Sequence, residues 1–270
     1  MNRFTIGQYY PGNSFLHKLD PRVKLVLTLV FIIVIFICRN FFSLGLMVLA
    51  AFVLTLLSRV PLRMILRSLR PLIFILIFTA VLNLFYTTGG NVLWHWKFLT
   101  LTDKGCYTAV FMAVRILSLV AVSALLTYTT TPTALTDGIE KLLSPLKIFK
   151  IQVHSLAMMM TLALRFIPTL MEEIDRIMRA QKARGADLET GGFLQRAKAL
   201  LPILIPLFVS AFRRAYELAF AMECRCYRGG EGRTRMKQMR FGVRDAVAVL
   251  FYALLLGGVI VCNHFFTALI

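Results

Sequence analysis

Hydrophobic positions along this chain form two kinds of run. The first kind is nearly unbroken: Leu25 to Leu57 is apolar apart from Arg39 and Asn40 near its middle. As one helix it would measure ~50 Å, against a hydrocarbon core of ~30 Å. The length therefore predicts two short spans turning at Arg39-Asn40. Pro71 to Tyr86 begins a third span, Ala109 to Thr127 is a fourth, and Val243 to Phe265 is the last. Between the third and fourth, Thr87 to Gly105 is polar. Gly89-Gly90 reads there as a turn, and Trp94, His95 and Trp96 suit a membrane interface.

The second kind of run is periodic. From Leu156, apolar residues recur at Met160, Ala163, Ile167, Leu170, Ile174 and Ile177, with Glu172, Glu173, Asp175, Arg176 and Arg179 on the other faces. Alternating steps of four and three predict an amphipathic helix, ended by Gly185. A second stripe runs through Leu200, Leu204, Leu207, Ala211, Ala215, Leu218 and Met222, with Gly229-Gly230 as the expected stop. Hydropathy alone also admits 151–170 and 200–212 as spans. Crossing by the first would strand the basic cluster from Arg176 to Arg184 outside, and Arg165, Arg213 and Arg214 sit in or beside the two stretches. The expectation is two long helices that skim or leave the cytoplasmic membrane surface.

Composition fixes the class. Hydrophobic residues make up 58% of 270, too many for a soluble domain of this size to bury. The net charge of +18 is uneven: nineteen of the 31 basic residues lie between Lys141 and Arg244. The positive-inside bias explains this without nucleic acid. Arg3, Lys18, Arg22 and Lys24 precede the first span, and Arg59, Arg63, Arg67 and Arg70 follow the second. The opposite side has Arg39, Lys97 and Lys104, so the N-terminus is expected in the cytoplasm. The predicted fold is an all-α membrane protein with about five transmembrane helices and a cytoplasmic coupling domain. Residues 1–128 form a membrane domain of four spans, 129–242 the coupling domain, and 243–270 a C-terminal transmembrane helix. The first 20 residues lack the apolar core of a signal peptide.

Catalytic patterns are missing from the sequence. It has no phosphate-binding loop with its lysine, no His-Glu-x-x-His and no Gly-x-Ser-x-Gly. Gly229-Gly230-Glu231-Gly232 reads as a connector. The histidines (His17, His95, His154, His264) are scattered, and Cys224-x-Cys226 lacks further ligands at zinc spacing. Arg115 is the ionisable residue inside a span, about two turns from its outer end, where its side chain can snorkel to the interface. These absences point away from a self-sufficient enzyme and from a substrate-selective carrier.

What stands out is a pair of arginines at two helix ends: Ala183-Arg184-Gly185 and Cys224-Arg225-Cys226. A C-terminal arginine meets the negative end of the helix dipole and can cap free carbonyls. Its recurrence between small residues favours docking, because small neighbours admit a partner surface and guanidinium forks onto carboxylates. Near the N-terminus, Asp20 and Pro21 fit the N-cap and first position of a helix. His17 and Lys18 could meet headgroups or a partner.

These residues resemble the transmembrane T component of energy-coupling factor transporters, a family that includes cobalt-importer relatives. Gly7-Gln8-Tyr9-Tyr10-Pro11-Gly12-Asn13-Ser14-Phe15-Leu16-His17-Lys18-Leu19-Asp20-Pro21-Arg22-Val23-Lys24-Leu25 is similar to the family's opening signature. The arginine motifs are similar to its two Ala-Arg-Gly motifs. The second departs from the pattern, with Cys226 in place of glycine. The resemblance implies a non-catalytic subunit that binds no cofactor itself. Two ABC-type ATPase subunits would consume ATP and Mg and receive Arg184 and Arg225 on acidic residues. A small membrane substrate-binding S component, for a vitamin or metal, would pack on the apolar stripes. A T component dedicated to one substrate (cobalt, nickel or biotin), a membrane anchor without transport and a lipid-acting membrane enzyme are the alternatives.

Overall fold

A computed structural model describes residues 9–86, 92–96, 99–149, 152–186, 192–229, 239 and 241–266. The chain divides into two compact units, 1–142 with 238–270, and 143–237.

The first unit holds α1 (Pro21–Ile37), α2 (Phe41–Ser58), α3 (Leu62–Leu69), α4 (Ile73–Tyr86), α5 (Asp103–Thr129), α6 (Pro132–Leu142) and α9 (Val243–Phe265). The break between α1 and α2 falls at the expected Arg39-Asn40, yet the two helices are not a packed hairpin. Each packs instead on α5 and α9, and α6 lies on α1. Phe31, Ile35, Leu44, Met47, Phe111 and Val259 fill the centre with almost no exposure. Tyr252 meets Phe31 edge-on at 6.5 Å, and Phe41 meets Phe111 at 5.4 Å.

Polar side chains close the far end of this bundle. Asn40 Nδ2 donates to the carbonyls of Cys262 (3.2 Å) and Phe266 (2.7 Å), capping α9. Asn263 returns the favour by donating to the Ile37 carbonyl at 2.9 Å. Arg115 does not snorkel. It is buried, its Nη2 donates to the Cys38 carbonyl at 2.6 Å, and its guanidinium lies 4.7 Å from the Phe111 ring centre. A carbonyl freed by the end of α1 is a nearer partner than the interface, and the two aromatic faces of Phe111 and Phe36 accept the cation.

The polar stretch before α5 forms an unexpected antiparallel hairpin, β1 (Val92–Trp96) and β2 (Leu99–Thr102), built from β-branched and aromatic residues. Gly89-Gly90 and the side chains of Trp94, His95 and Trp96 lie outside what is described. Apart from this hairpin the regular elements of the described residues are helices. The fourth span begins earlier than predicted, at Asp103, because Thr102 Oγ1 accepts from the Gly105 amide at 3.1 Å and caps the helix.

Among the described residues, six helices are long and apolar enough to cross a membrane: Phe41–Ser58, Leu62–Phe85, Asp103–Thr129, Val153–Ala183, Lys198–Glu223 and Val243–Phe265. The predicted five included α1, whose 17 residues are short for a span, and omitted the two helices of the second unit. Those two, α7 (Val153–Ala183) and α8 (Phe193–Glu223), are each 31 residues long. The basic cluster from Arg176 to Arg184, with Arg165, Arg213 and Arg214, still weighs against their crossing.

Candidate functional site: two arginine-tipped helix ends

The two arginine motifs adopt one backbone geometry. Helix α7 ends at Ala183, Arg184 is its C-cap, and Gly185 turns left-handed at φ +85°. The Gly185 amide donates to the Lys182 carbonyl at 3.0 Å, and the Ala186 amide to the Gln181 carbonyl at 3.0 Å. This pair of backward bonds is the Schellman motif. Helix α8 repeats it. The Cys226 amide donates to the Glu223 carbonyl at 2.8 Å, and the Tyr227 amide to the Met222 carbonyl at 3.1 Å. Cys226 supplies the left-handed residue at φ +55°. Helix α8 therefore stops six residues before the expected Gly229-Gly230, of which Gly230 lies outside the described residues.

Arg184 and Arg225 thus hold the same position in the same cap, and both are exposed together with Ala183, Gly185, Cys224 and Cys226. Main-chain bonds occupy the carbonyls of Ala180, Gln181 and Lys182 and those of Phe220, Met222 and Glu223, and among the described residues neither guanidinium donates to a carbonyl. Among the described residues, neither arginine enters an ion pair.

The helices that carry these tips are locked to each other. Arg214 Nη2 and Glu173 Oε2 form an ion pair at 3.0 Å. Gln181 Nε2 donates to the Pro202 carbonyl at 3.3 Å, an acceptor left free because Pro206 has no amide hydrogen to offer it. Going along α7 from Glu173 to Gln181, the partner on α8 moves back from Arg214 to Pro202, so the helices run antiparallel. Arg184 is eleven residues beyond Glu173, and Arg225 eleven beyond Arg214. Each tip therefore lies ~16 Å from the ion pair, and the tips point opposite ways, up to ~33 Å apart. The chain presents two equivalent cationic ends about a central clamp.

Apolar surface on this unit is largely open. Leu156, Met160, Ile167, Leu200 and Leu204 of the predicted stripes are exposed, while Leu170, Ile174 and Ile177 are half-buried. Helix α8 also exposes Phe208, Phe212, Tyr216 and Phe220 at four-residue steps. The sequence reading passed over this aromatic row because it followed a neighbouring stripe.

The opening signature folds into a joint within the first unit. Asp20 caps α1 as predicted, accepting from the Arg22 amide at 2.9 Å, with Pro21 at the first position. Its own amide donates to Asp245 Oδ1 at 2.9 Å, while Asp245 Oδ2 accepts from the Gly242 amide at 2.8 Å. Arg22 lies 3.7 Å from Asp20, donates to the Met239 carbonyl at 3.3 Å and stacks over Phe241. Lys24 is buried, with Nζ donating to the carbonyls of His17 (3.3 Å) and Thr129 (3.0 Å). His17 Nε2 faces the Tyr10 carbonyl at 2.9 Å, which requires the hydrogen on Nε2. Nδ1 is then the acceptor for the buried Ser14 hydroxyl at 2.6 Å. Leu19 is buried, Pro21 packs against Gly138 of α6, and Pro11 and Lys18 are exposed. His17 is thereby consumed internally and not turned to headgroups. Gly7 and Gln8 lie outside the described residues. Asp245, in the first turn of α9, is the acceptor that completes this joint.

Comparison with known proteins adds the family. The cobalt transport protein family CbiQ matches residues 12–236. The energy-coupling factor transporter transmembrane protein EcfT of Ruminiclostridium cellulolyticum is 50% identical over 262 residues, covering 97% of this chain and 98% of that protein. The same-named protein of Clostridium kluyveri is 54% identical, covering 91% and 92% of the two chains. That of Streptococcus thermophilus is 43% identical, covering 93% and 95%. The chain belongs to this family. It is a multi-pass transport protein of the membrane, with the role of an energy-coupling factor transporter's transmembrane component. Among the described residues, no cluster of three His, Cys, Asp or Glu side chains could hold a metal ion.

Proposed function

We propose that this chain is the energy-coupling subunit of an ATP-driven importer, converting ATPase motion into movement of a substrate-binding membrane partner. The observation that carries the proposal is the duplicated cap, with two exposed arginines, neither in an ion pair among the described residues, at equivalent positions on two helices joined by an ion pair. Two ABC-type ATPase subunits would each receive one tip, through acidic side chains that fork onto Arg184 and Arg225. These helix ends, and with them the N-terminus, would face the cytoplasm, as the basic charge between Lys141 and Arg244 requires. ATP and Mg would be handled by the ATPases, with no cofactor held by this chain.

The open apolar surface of α7 and α8, and the row Phe208, Phe212, Tyr216 and Phe220 above all, supports contact with the bilayer and with a small S component that selects the vitamin or metal. Rotation of the two ATPases would act on arms ~16 Å long from the Glu173–Arg214 clamp, so a small displacement at each tip would tilt the aromatic row. The absence of enzyme motifs in the sequence supports a non-catalytic role.

The test is recovery of ATPases with the tagged chain from native membranes in mild detergent. Arg184→Glu with Arg225→Glu should abolish their recovery while the chain stays in the membrane. Full recovery with the double variant would refute the docking role. The identity of co-purified small membrane proteins separates a shared module, with several, from a dedicated one, with a single protein.

A further inference from the structure

Helix α3 has a face that neither the core nor the docking tips use. At 100° per residue, Arg63, Arg67 and Arg70 fall within about 60° of one another. Ile65 lies on the opposite side and is buried, and the Met64 carbonyl accepts from Tyr128 Oη at 3.2 Å, so the helix is fixed to the bundle. Between these faces run Leu62, Leu66 and Leu69, the first two 51% and 62% exposed. Arg63, Arg67 and Arg70 are all exposed. Among the described residues none of the three forms an ion pair. Arg59, also exposed, ends α2 just before them.

A row of free guanidinium groups beside a row of exposed leucines suits a ligand with a phosphate at one end and hydrocarbon at the other. Water alone would leave the leucines unexplained, and hydrocarbon alone would leave the arginines so. We propose that α3 binds anionic phospholipid, with Arg63, Arg67 and Arg70 on the headgroup phosphate and Leu62 and Leu66 against the acyl chains. The exposed apolar side chains of Phe74, Ile77 and Phe78 on α4 continue the hydrocarbon surface.

The test uses the purified full chain in mild detergent, titrated with dioleoylphosphatidylglycerol, dioleoylphosphatidylcholine or inorganic phosphate. Thermal midpoint and native mass spectrometry are the readouts. Phosphatidylglycerol should raise the midpoint and remain bound, and the other two should not. R63Q/R67Q/R70Q should weaken that binding about fivefold per arginine, with the midpoint in phosphatidylcholine unchanged. If the triple variant folds poorly, Arg63→Gln alone should still show a single fivefold loss. Undiminished binding by the variants would overturn the assignment. An equal loss in the charge-matched R165Q/R179Q/R213Q would overturn it too, by showing attraction to net charge. The same shift from inorganic phosphate would replace the lipid with simple anion binding.

Discussion

The left-handed residue of each cap is glycine in one motif and cysteine in the other, which allows a reciprocal exchange. A left-handed conformation costs a residue with a Cβ about 1–2 kcal/mol, and glycine gives back roughly 0.5–1 kcal/mol through its greater freedom when unfolded. Among the described residues, chain neighbours aside, no atom lies within 4 Å of a Cβ built on Gly185, so the backbone term decides. Gly185→Ala should loosen the end of α7 by about 0.5–1 kcal/mol, and Cys226→Gly should tighten that of α8 by a similar amount. Both should appear in hydrogen–deuterium exchange of the full chain. The reporters are the Ala186 amide, bonded to the Gln181 carbonyl, and the Tyr227 amide, bonded to the Met222 carbonyl. Local opening converts that range to about twofold to fivefold faster exchange at Ala186 and slower exchange at Tyr227. Unchanged or faster exchange at Tyr227 in Cys226→Gly would refute a strained cap there. Because the guanidinium groups stay in place, neither change should release the ATPases.

Other outcomes follow from single contacts. Asp245→Ala removes both carboxylate oxygens, so the buried Asp20 amide loses its acceptor along with the exposed Gly242 amide. Thermal unfolding in detergent should register a loss of about 1–3 kcal/mol, and an unchanged midpoint would count against the joint. Arg115→Ala removes a charged donor from the Cys38 carbonyl and its stacking on Phe111, so the same assay should show a loss on the order of 2–3 kcal/mol. If Arg115 snorkelled instead, the loss would be near zero.

Where the chemistry is local, the fold could be read before it was seen. Asp20-Pro21 starts α1, Arg39-Asn40 parts α1 from α2, and Gly185 closes α7, each through a residue whose own conformational preference dictates the outcome. Reading failed where a distant partner decides. Arg115 looked like an interface residue because sequence does not reveal that α1 ends with an accepting carbonyl 77 residues away. Asp245 meets Asp20 across 225 residues, and no periodicity carries that information. The end of α8 was misplaced for a third reason. Gly229-Gly230 is the stronger breaker by composition, yet the backward bonds of Cys226 and Tyr227 close the helix first.

That misplacement conceals the most useful regularity in the chain. Shifted by 41 residues, Arg184 falls on Arg225, Gly185 on Cys226 and Glu173 on Arg214, and the last pair is the ion pair joining the helices. Equivalent positions on two helices of 31 residues each thus hold opposite charges at the clamp and identical charges at the tips. Opposite charge at the clamp brings unlike sides together, as an antiparallel crossing needs. On the proposed reading, identical charge at the tips would give two like partners the same handle, the two handles lying up to ~33 Å apart. Breaking the clamp and breaking a tip should then differ in kind: loss of the clamp leaves both partners bound to uncoupled arms, whereas loss of a tip frees one partner and leaves the other in place.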